Sequence, residues 1–263
     1  MTSPSELLNF ATEIAREAGE LAHRRRREGV TIAATKANIA DIVTEADREV
    51  EALVRSCLRE ARPDDGFLGE ESGEAGGTSG ITWVVDPIDG TVNYAFGHPT
   101  WAVSIAAVSG SDDPHTWQAE AGVVFAPALG EEYTAARGEG AFLGGERLRV
   151  TTEAPAGALL AVGISHEADS RQASLDELAK VMPLIRDIRR AGAASVDLAY
   201  VAAGRLDAYI ERGLKPWDHA AGALLVTEAG GEVGWHGVNA WGKELLVAAE
   251  PQLHRDLVAA LGV

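Results

Sequence analysis

A chain of 263 residues can bury a substantial core, and 46% hydrophobic with 24% charged residues is the balance of a folded protein rather than a disordered one. The net charge of −17 argues against nucleic acid or an anionic membrane as partner, since both are gripped by basic patches. A single cysteine, Cys57, excludes a disulfide framework and a cysteine metal cluster.

No apolar run approaches the roughly 18 residues that span a bilayer. Residues 1–6 lack the basic and apolar segments of a signal peptide, so the expected compartment is the cytoplasm. In chain order, Leu7, Ala11, Ile14, Ala18 and Leu21 recur at helical steps and predict a helix over 5–27, capped by Ser5 and ended by Gly29. Arg24 to Arg27 then read as its solvated, dipole-favoured end. A second helix is predicted over 45–61, with Thr44 as N-cap, Asp47 three residues on, and Pro63 as stop. Cys57 falls inside it as a small buried residue. The Gly/Ser-rich stretch 74–80 reads as a loop. Strand patterns at 83–85, 102–108, 118–125, 132–136 and 147–151, divided by turn residues, predict an antiparallel meander.

After Pro155 the pattern alternates. Strands are predicted at 159–163, 188–190, 208–210 and 245–248. Helices are predicted at 170–182, from about 194, at 218–229 and at 252–261. An antiparallel half (1–153) followed by an alternating half (154–263) implies two sheets layered with helices in one domain over 1–263.

The chemistry concentrates in Asp86-Pro87-Ile88-Asp89-Gly90-Thr91, which follows a strand-like run. Two carboxylates three residues apart, stiffened by Pro87 and followed by a Gly-Thr turn, suit a hard divalent cation. The N–H groups of Gly90 and Thr91 suit the oxygens of a phosphate. Three further blocks stand in order with it: Asp41-Ile42-Val43-Thr44-Glu45-Ala46-Asp47, Gly69-Glu70-Glu71-Ser72 and Trp217-Asp218-His219-Ala220-Ala221-Gly222. With these four blocks, the one at Asp86 extending through Val92-Asn93, the chain resembles the inositol monophosphatase family over nearly its whole length.

That resemblance implies an α/β (α+β) fold, a five-layer αβαβα sandwich with an antiparallel sheet followed by a mixed one. It also implies Mg²⁺-dependent hydrolysis of myo-inositol monophosphate by metal-activated water, with two to three Mg²⁺ per site and Li⁺ sensitivity. Glu70, Asp86 and the Ile88 carbonyl would hold the first ion, and Asp86, Asp89 and Asp218 the second. Thr91 and Asp47, with Glu70, would orient the attacking water; Asp41 would brace the loop before Thr44. For the substrate, the phosphate would sit on Gly90 and Thr91, and the polyol on Gly192, Ala193, Ala194, Glu211 and Asp89. Lys36, in a polar stretch resembling the family's mobile loop, is either a loop contact to the phosphate or an exposed lysine. Trp217 is expected to pack behind the site. The family also implies a homodimer.

One departure is Gly163-Ile164-Ser165-His166-Glu167-Ala168-Asp169, where relatives carry a Gly-Phe-aromatic segment. His166 has no motif around it, and His166, His98 and His219, the last beside Asp218, all read as ordinary histidines. The alternatives are histidinol phosphate, fructose 1,6-bisphosphate or a nucleotide 3′-phosphate as substrate, or a regulatory binding protein on the same fold.

Overall fold

The computed structural model describes residues 2–30, 32–35, 42–111, 113–151, 157–164 and 168–263. Lys36, Asp41 and His166 lie outside them. The elements run α1 (Pro4–Glu28), β1 (Ile32–Thr35), β2 (Ile42–Thr44), α2 (Glu45–Ala61), β3 (Gly66–Gly69), β4 (Gly73–Ala75), β5 (Ile81–Asp89) and α3 (Thr91–Phe96). Next come β6 (Ala102–Ser109), β7 (Gln118–Ala126), β8 (Glu131–Ala136), β9 (Gly140–Leu143) and β10 (Glu146–Arg147). The second half holds β11 (Ala158–Val162), α4 (Ala168–Val181), β12 (Ile185–Arg189), α5 (Ala194–Ala202), β13 (Ala208–Arg212), α6 (Pro216–Glu228), β14 (Glu232–Val238), β15 (Glu244–Ala249) and α7 (Pro251–Leu261).

Two local rules set the first helices. Ser3, not Ser5, caps α1, because only Ser3 has Glu6 three residues on to close a reciprocal capping box. Thr44 and Asp47 form the same box on α2. The arginine run does end α1, but it is not uniformly solvated. Arg25 pairs with Glu49 and Glu28, and Arg26 lies against Gly97 at the end of α3. Cys57 is only half-buried, packed at the edge of the α1–α2 core.

One sheet has eight strands in the order β10-β9-β8-β7-β6-β5-β3-β4, and the other has five in the order β12-β11-β13-β15-β14. The meander from β5 to β10 is antiparallel throughout. Residues 147–151 are largely not strand, since β10 stops at Arg147. β3 was not expected, and it runs parallel to β5. The second sheet is mixed: β11 pairs parallel with β12 and β13, whereas β15 pairs antiparallel with β13 and β14.

Strand alternation sorts the side chains into three cores. Val85 and Ile105 face Leu7 and Ile14 of α1 and Val50 and Val54 of α2. Their neighbours Val84 and Ala106 face Leu198 of α5 and Leu225 of α6, which meet Tyr209 and Leu246 of the second sheet. Ile210 and Val247 then turn outward to Val181 of α4 and Leu257 of α7. The layers are therefore αβαβα, and each fully buried Leu or Ile in them contributes about 1.5–3 kcal/mol. The functional consequence lies at the C-terminal ends of β3 and β5 and at the starts of α3, α5 and α6. Among the described residues, no helix is long and apolar enough to cross a membrane.

Candidate active site

The register of β3 on β5 builds the first half of the site. Gly69 pairs with Val85, so the residues that follow, Glu70 and Asp86, come out side by side, and the Glu70 N–H donates to the Val85 carbonyl at 3.2 Å. Asp86 and Asp89 have opposite parity and a regular strand would send them to opposite faces. Pairing to β6 slips between them, with Asp86 opposite Ser104 and Asp89 opposite Ala102. That bulge, for which Pro87 has no N–H to lose, turns both acids inward.

Gly90 ends the strand at φ 88°, where a Cβ would stand 3.1 Å from the Ala193 Cβ and 3.1 Å from the Thr100 carbonyl. The next residue opens α3. Its hydroxyl, Thr91 Oγ1, donates to Asp47 Oδ1 at 3.2 Å and lies 3.1 Å from the Ile88 carbonyl. Asp47 is wholly buried. Its other oxygen receives the Thr44 N–H at 2.8 Å and the Thr44 hydroxyl. Burial still outweighs these donors and lifts its carboxyl to about 6. Thr91 and Asp47 are thus joined, as the resemblance implies.

The second half contributes two helix starts. α5 aims its first N–H groups at Asp89: Ala194 N donates at 3.2 Å, Ser195 N at 2.7 Å and Ser195 Oγ at 2.5 Å. The Ala194 N–H thus points to Asp89. Asp218, at the third position of α6, is half-buried and accepts the Lys215 N–H at 2.6 Å. Asp86 is pushed well above the usual carboxylate range, first by burial and then by the fields of Glu70, Asp89, Asp218 and Asp47. Asp218 is raised likewise, by burial and then by Asp89 and Glu70.

These mutual fields locate the four acids in one nest of negative charge. Among the described residues, no three of them close into a ligand cage, and Asp86, Asp89 and Asp218 each accept a backbone N–H. The donor chemistry is all oxygen, which fits a hard divalent cation.

On the second sheet, Glu211 of β13 accepts the Tyr209 hydroxyl and is raised to about 7, chiefly by burial. Its side chain fills the space where a Cβ on residue 163 would stand, 1.8 Å from its carboxyl carbon, so Gly163 is what admits it. Arg212, next along β13, turns the other way to Glu177 at 2.6 Å, so Glu211 is not paired to its neighbour. Gly192 takes φ 85° with the Arg190 guanidinium folded over it.

The sequence matches the inositol monophosphatase family over residues 3–261. The chain belongs to the inositol monophosphatase family. Among curated relatives, Nus factor SuhB of Pseudomonas aeruginosa is 44% identical over 86% of this chain and 84% of its own. Inositol-1-monophosphatase SuhB of Mycobacterium tuberculosis is 41% identical over 98% of this chain and 94% of its own. The solved extragenic suppressor protein SuhB of Bartonella henselae superposes with a TM-score of 0.87 at 38% identity, covering 96% of this chain and 97% of that one. Membership in the inositol monophosphatase family makes this a phosphatase of small phosphate esters, in a family that is generally metal-dependent.

Around the acid nest the structure gives roles to Asn93, the last residue of the Asp86 block, and to two acids that the motifs did not single out. Asn93 donates to the Ala191 and Thr100 carbonyls at 2.8 and 2.6 Å, stapling α3 to the Gly192 turn. Glu51, 3% exposed, accepts the Glu71 N–H at 2.8 Å and so fixes the turn that carries Glu70. It stands beside Val50 and Val54 on the apolar face of α2, and a carboxylate on such a face was the readable signal. Asp197 of α5 is 2% exposed with Oδ1 unpartnered, near Asp89 and Glu211.

Of the three histidines read as ordinary, His98 and His219 are described. His98 accepts the Thr100 N–H, and His219 is buried between the Trp117 and Trp235 rings and kept neutral by burial. Trp217 packs half-buried against the central core, its carbonyl near Ser104 Oγ.

Proposed function

We propose that this chain is a Mg²⁺-dependent phosphatase acting on myo-inositol monophosphate. The observation that carries the reading is the joined Thr91–Asp47 pair beside a nest of four repelling carboxylates, with Glu211 on the neighbouring sheet. Glu70, Asp86, the Ile88 carbonyl, Asp89 and Asp218 would hold two to three Mg²⁺. Bound there, the ions would supply the charge neutralisation that a phosphate ester needs before water can attack.

The chain's own groups do the rest. The first turn of α3, Gly90 and Thr91, receives phosphate oxygens at the positive end of a short dipole. An attacking water gives a proton through Thr91 Oγ1 to Asp47, a base poised near neutrality. The new O–P bond forms as the P–O bond to the inositol oxygen breaks, and that oxygen leaves with a proton from solvent. Glu211, at the end of β13, takes a ring hydroxyl, and Gly192, Ala193 and Asp89 shape the wall beside it.

The test is phosphate release from a panel of monoesters, with and without Mg²⁺ and Li⁺. Inositol 1-phosphate turned over best, only with Mg²⁺ and inhibited by Li⁺, is the expected result. Clear preference for histidinol phosphate, fructose 1,6-bisphosphate or a nucleotide 3′-phosphate overturns the substrate. We further infer a cytoplasmic homodimer built from one domain per chain, which gel filtration with light scattering checks. A second reading rests on the relatives named Nus factor SuhB in Pseudomonas aeruginosa and Escherichia coli. In it the same fold serves a regulatory partner. Cellular rescue by an inactive Asp86→Asn chain favours that reading; failure to rescue favours catalysis.

A further inference from the structure

Far from the acid nest, on the outer layer, α7 lies across β14 and β15, and two imidazoles meet there. His236 Nε2 and His254 Nε2 stand 3.3 Å apart, with the rings tilted by 53°. The approach depends on the residue between them. A Cβ at position 234 would sit 2.6 Å from His236 Nε2 and 2.8 Å from His254 Nε2, so only Gly234 leaves room for both. Alternation along β14 puts Glu232, Gly234 and His236 on the α7 face, while Val233 and Trp235 pack toward the central core. The Glu232 carboxylate lies 3.6 Å from His254 Nδ1, the nitrogen opposite the one that faces His236.

We propose that His236 and His254 form a binding site for a borderline divalent metal ion, Zn²⁺ or Cu²⁺, separate from the Mg²⁺ nest. Metal–nitrogen bonds of about 2.0–2.1 Å at a tetrahedral angle place the two nitrogens about 3.3–3.4 Å apart, which is the spacing already present. Imidazole nitrogens suit these ions, whereas Mg²⁺ prefers oxygen. A carboxylate behind the far nitrogen is the usual partner of a metal-bound histidine, holding its ring and its tautomer.

One ring donates to the other across this 3.3 Å contact, and a bound metal would take the place of that proton. His254 is 3% exposed and rigid, and His236 is half-buried, leaving an approach from solvent. Among the described residues, no third side chain closes a cage, so water would complete the sphere. The adjacent cation, Arg255, bonds to Gln252 Oε1 at 2.8 Å.

The experiment uses the whole chain in excess Mg²⁺, titrated with Cu²⁺ alone and read by electron paramagnetic resonance. One equivalent of Cu²⁺ showing couplings to two imidazole nitrogens is expected. Asp86→Asn should keep that signal, because the nest offers only oxygen. His236→Gln, at a half-buried position that tolerates the change, should reduce it to one nitrogen and weaken binding at least about tenfold. Gly234→Ala should weaken it similarly by forcing the rings apart. With Zn²⁺, Tm should rise for the unaltered chain and not for His236→Gln. An oxygen-only spectrum, or a two-nitrogen spectrum that survives both His236→Gln and His254→Gln, overturns the site and leaves a hydrogen-bonded histidine pair.

Discussion

Asp47 and Asp197 are both deeply buried carboxyls near one site, yet the protein treats them in opposite ways. Asp47 collects the Thr44 N–H and hydroxyl and the Thr91 hydroxyl, and its carboxyl is raised only to about 6. Asp197 has an oxygen without a partner and is raised to about 8, by burial and then by Asp89 and Glu211. One carboxyl is therefore held near neutrality by its donors, and the other is kept protonated by burial. Burial is common to both; the count of donors separates them.

The strongest way to break this contrast is to remove charge from the nest. Asp86→Asn, or removal of Mg²⁺ by chelation, should lower phosphate release at least about a thousandfold, the scale of losing a main electrostatic stabiliser. Circular dichroism checks that the fold is kept. Asp47→Asn should cost kcat about a hundredfold or more, as expected for a lost proton acceptor, and remove the acid limb of the rate profile near pH 6.

Asp197 answers in stability. Its folded carboxyl titrates higher than the unfolded value of 3.8, so the native chain holds a proton that the unfolded chain releases. The contribution is full below pH 3.8 and is lost as pH rises toward about 8. Asp197→Asn lacks that slope. Its advantage in unfolding free energy over the parent should grow from pH 5 to pH 8 and reach about 2 kcal/mol, the scale of an unsatisfied buried polar group. A flat difference would place Asp197 in a wetter setting than its burial implies.

The smallest effect belongs to Glu211→Gln. It should raise KM for inositol 1-phosphate roughly tenfold while sparing turnover of p-nitrophenyl phosphate, since one hydrogen bond to a charged group is worth about 1.5–3 kcal/mol. An equal loss on both substrates would move Glu211 from selection to chemistry.

Legibility in the sequence followed the strength of local signals. α2 was readable to the residue, because Thr44 and Asp47 close a box and Val50, Val54 and Leu58 follow at helical spacing. β14 was missed, because Gly234 and Gly237 erase a strand pattern that pairing with β15 alone supports. β3 and β9 fell to the same cause, their glycines reading as turns. α3, six residues long, is too short to show a period.

The sequence alone determined the donor types: oxygens for a hard cation, a threonine beside an acid, and a glycine turn for phosphate. Those are properties of residues and their near neighbours. Only the tertiary structure decided that α5 spends its first N–H groups on Asp89, that Glu51 holds the Glu70 turn, and that Asp197 goes unpartnered. Such facts depend on which distant backbone arrives where, and strand register and helix packing fix that through many weak contacts between residues far apart in sequence.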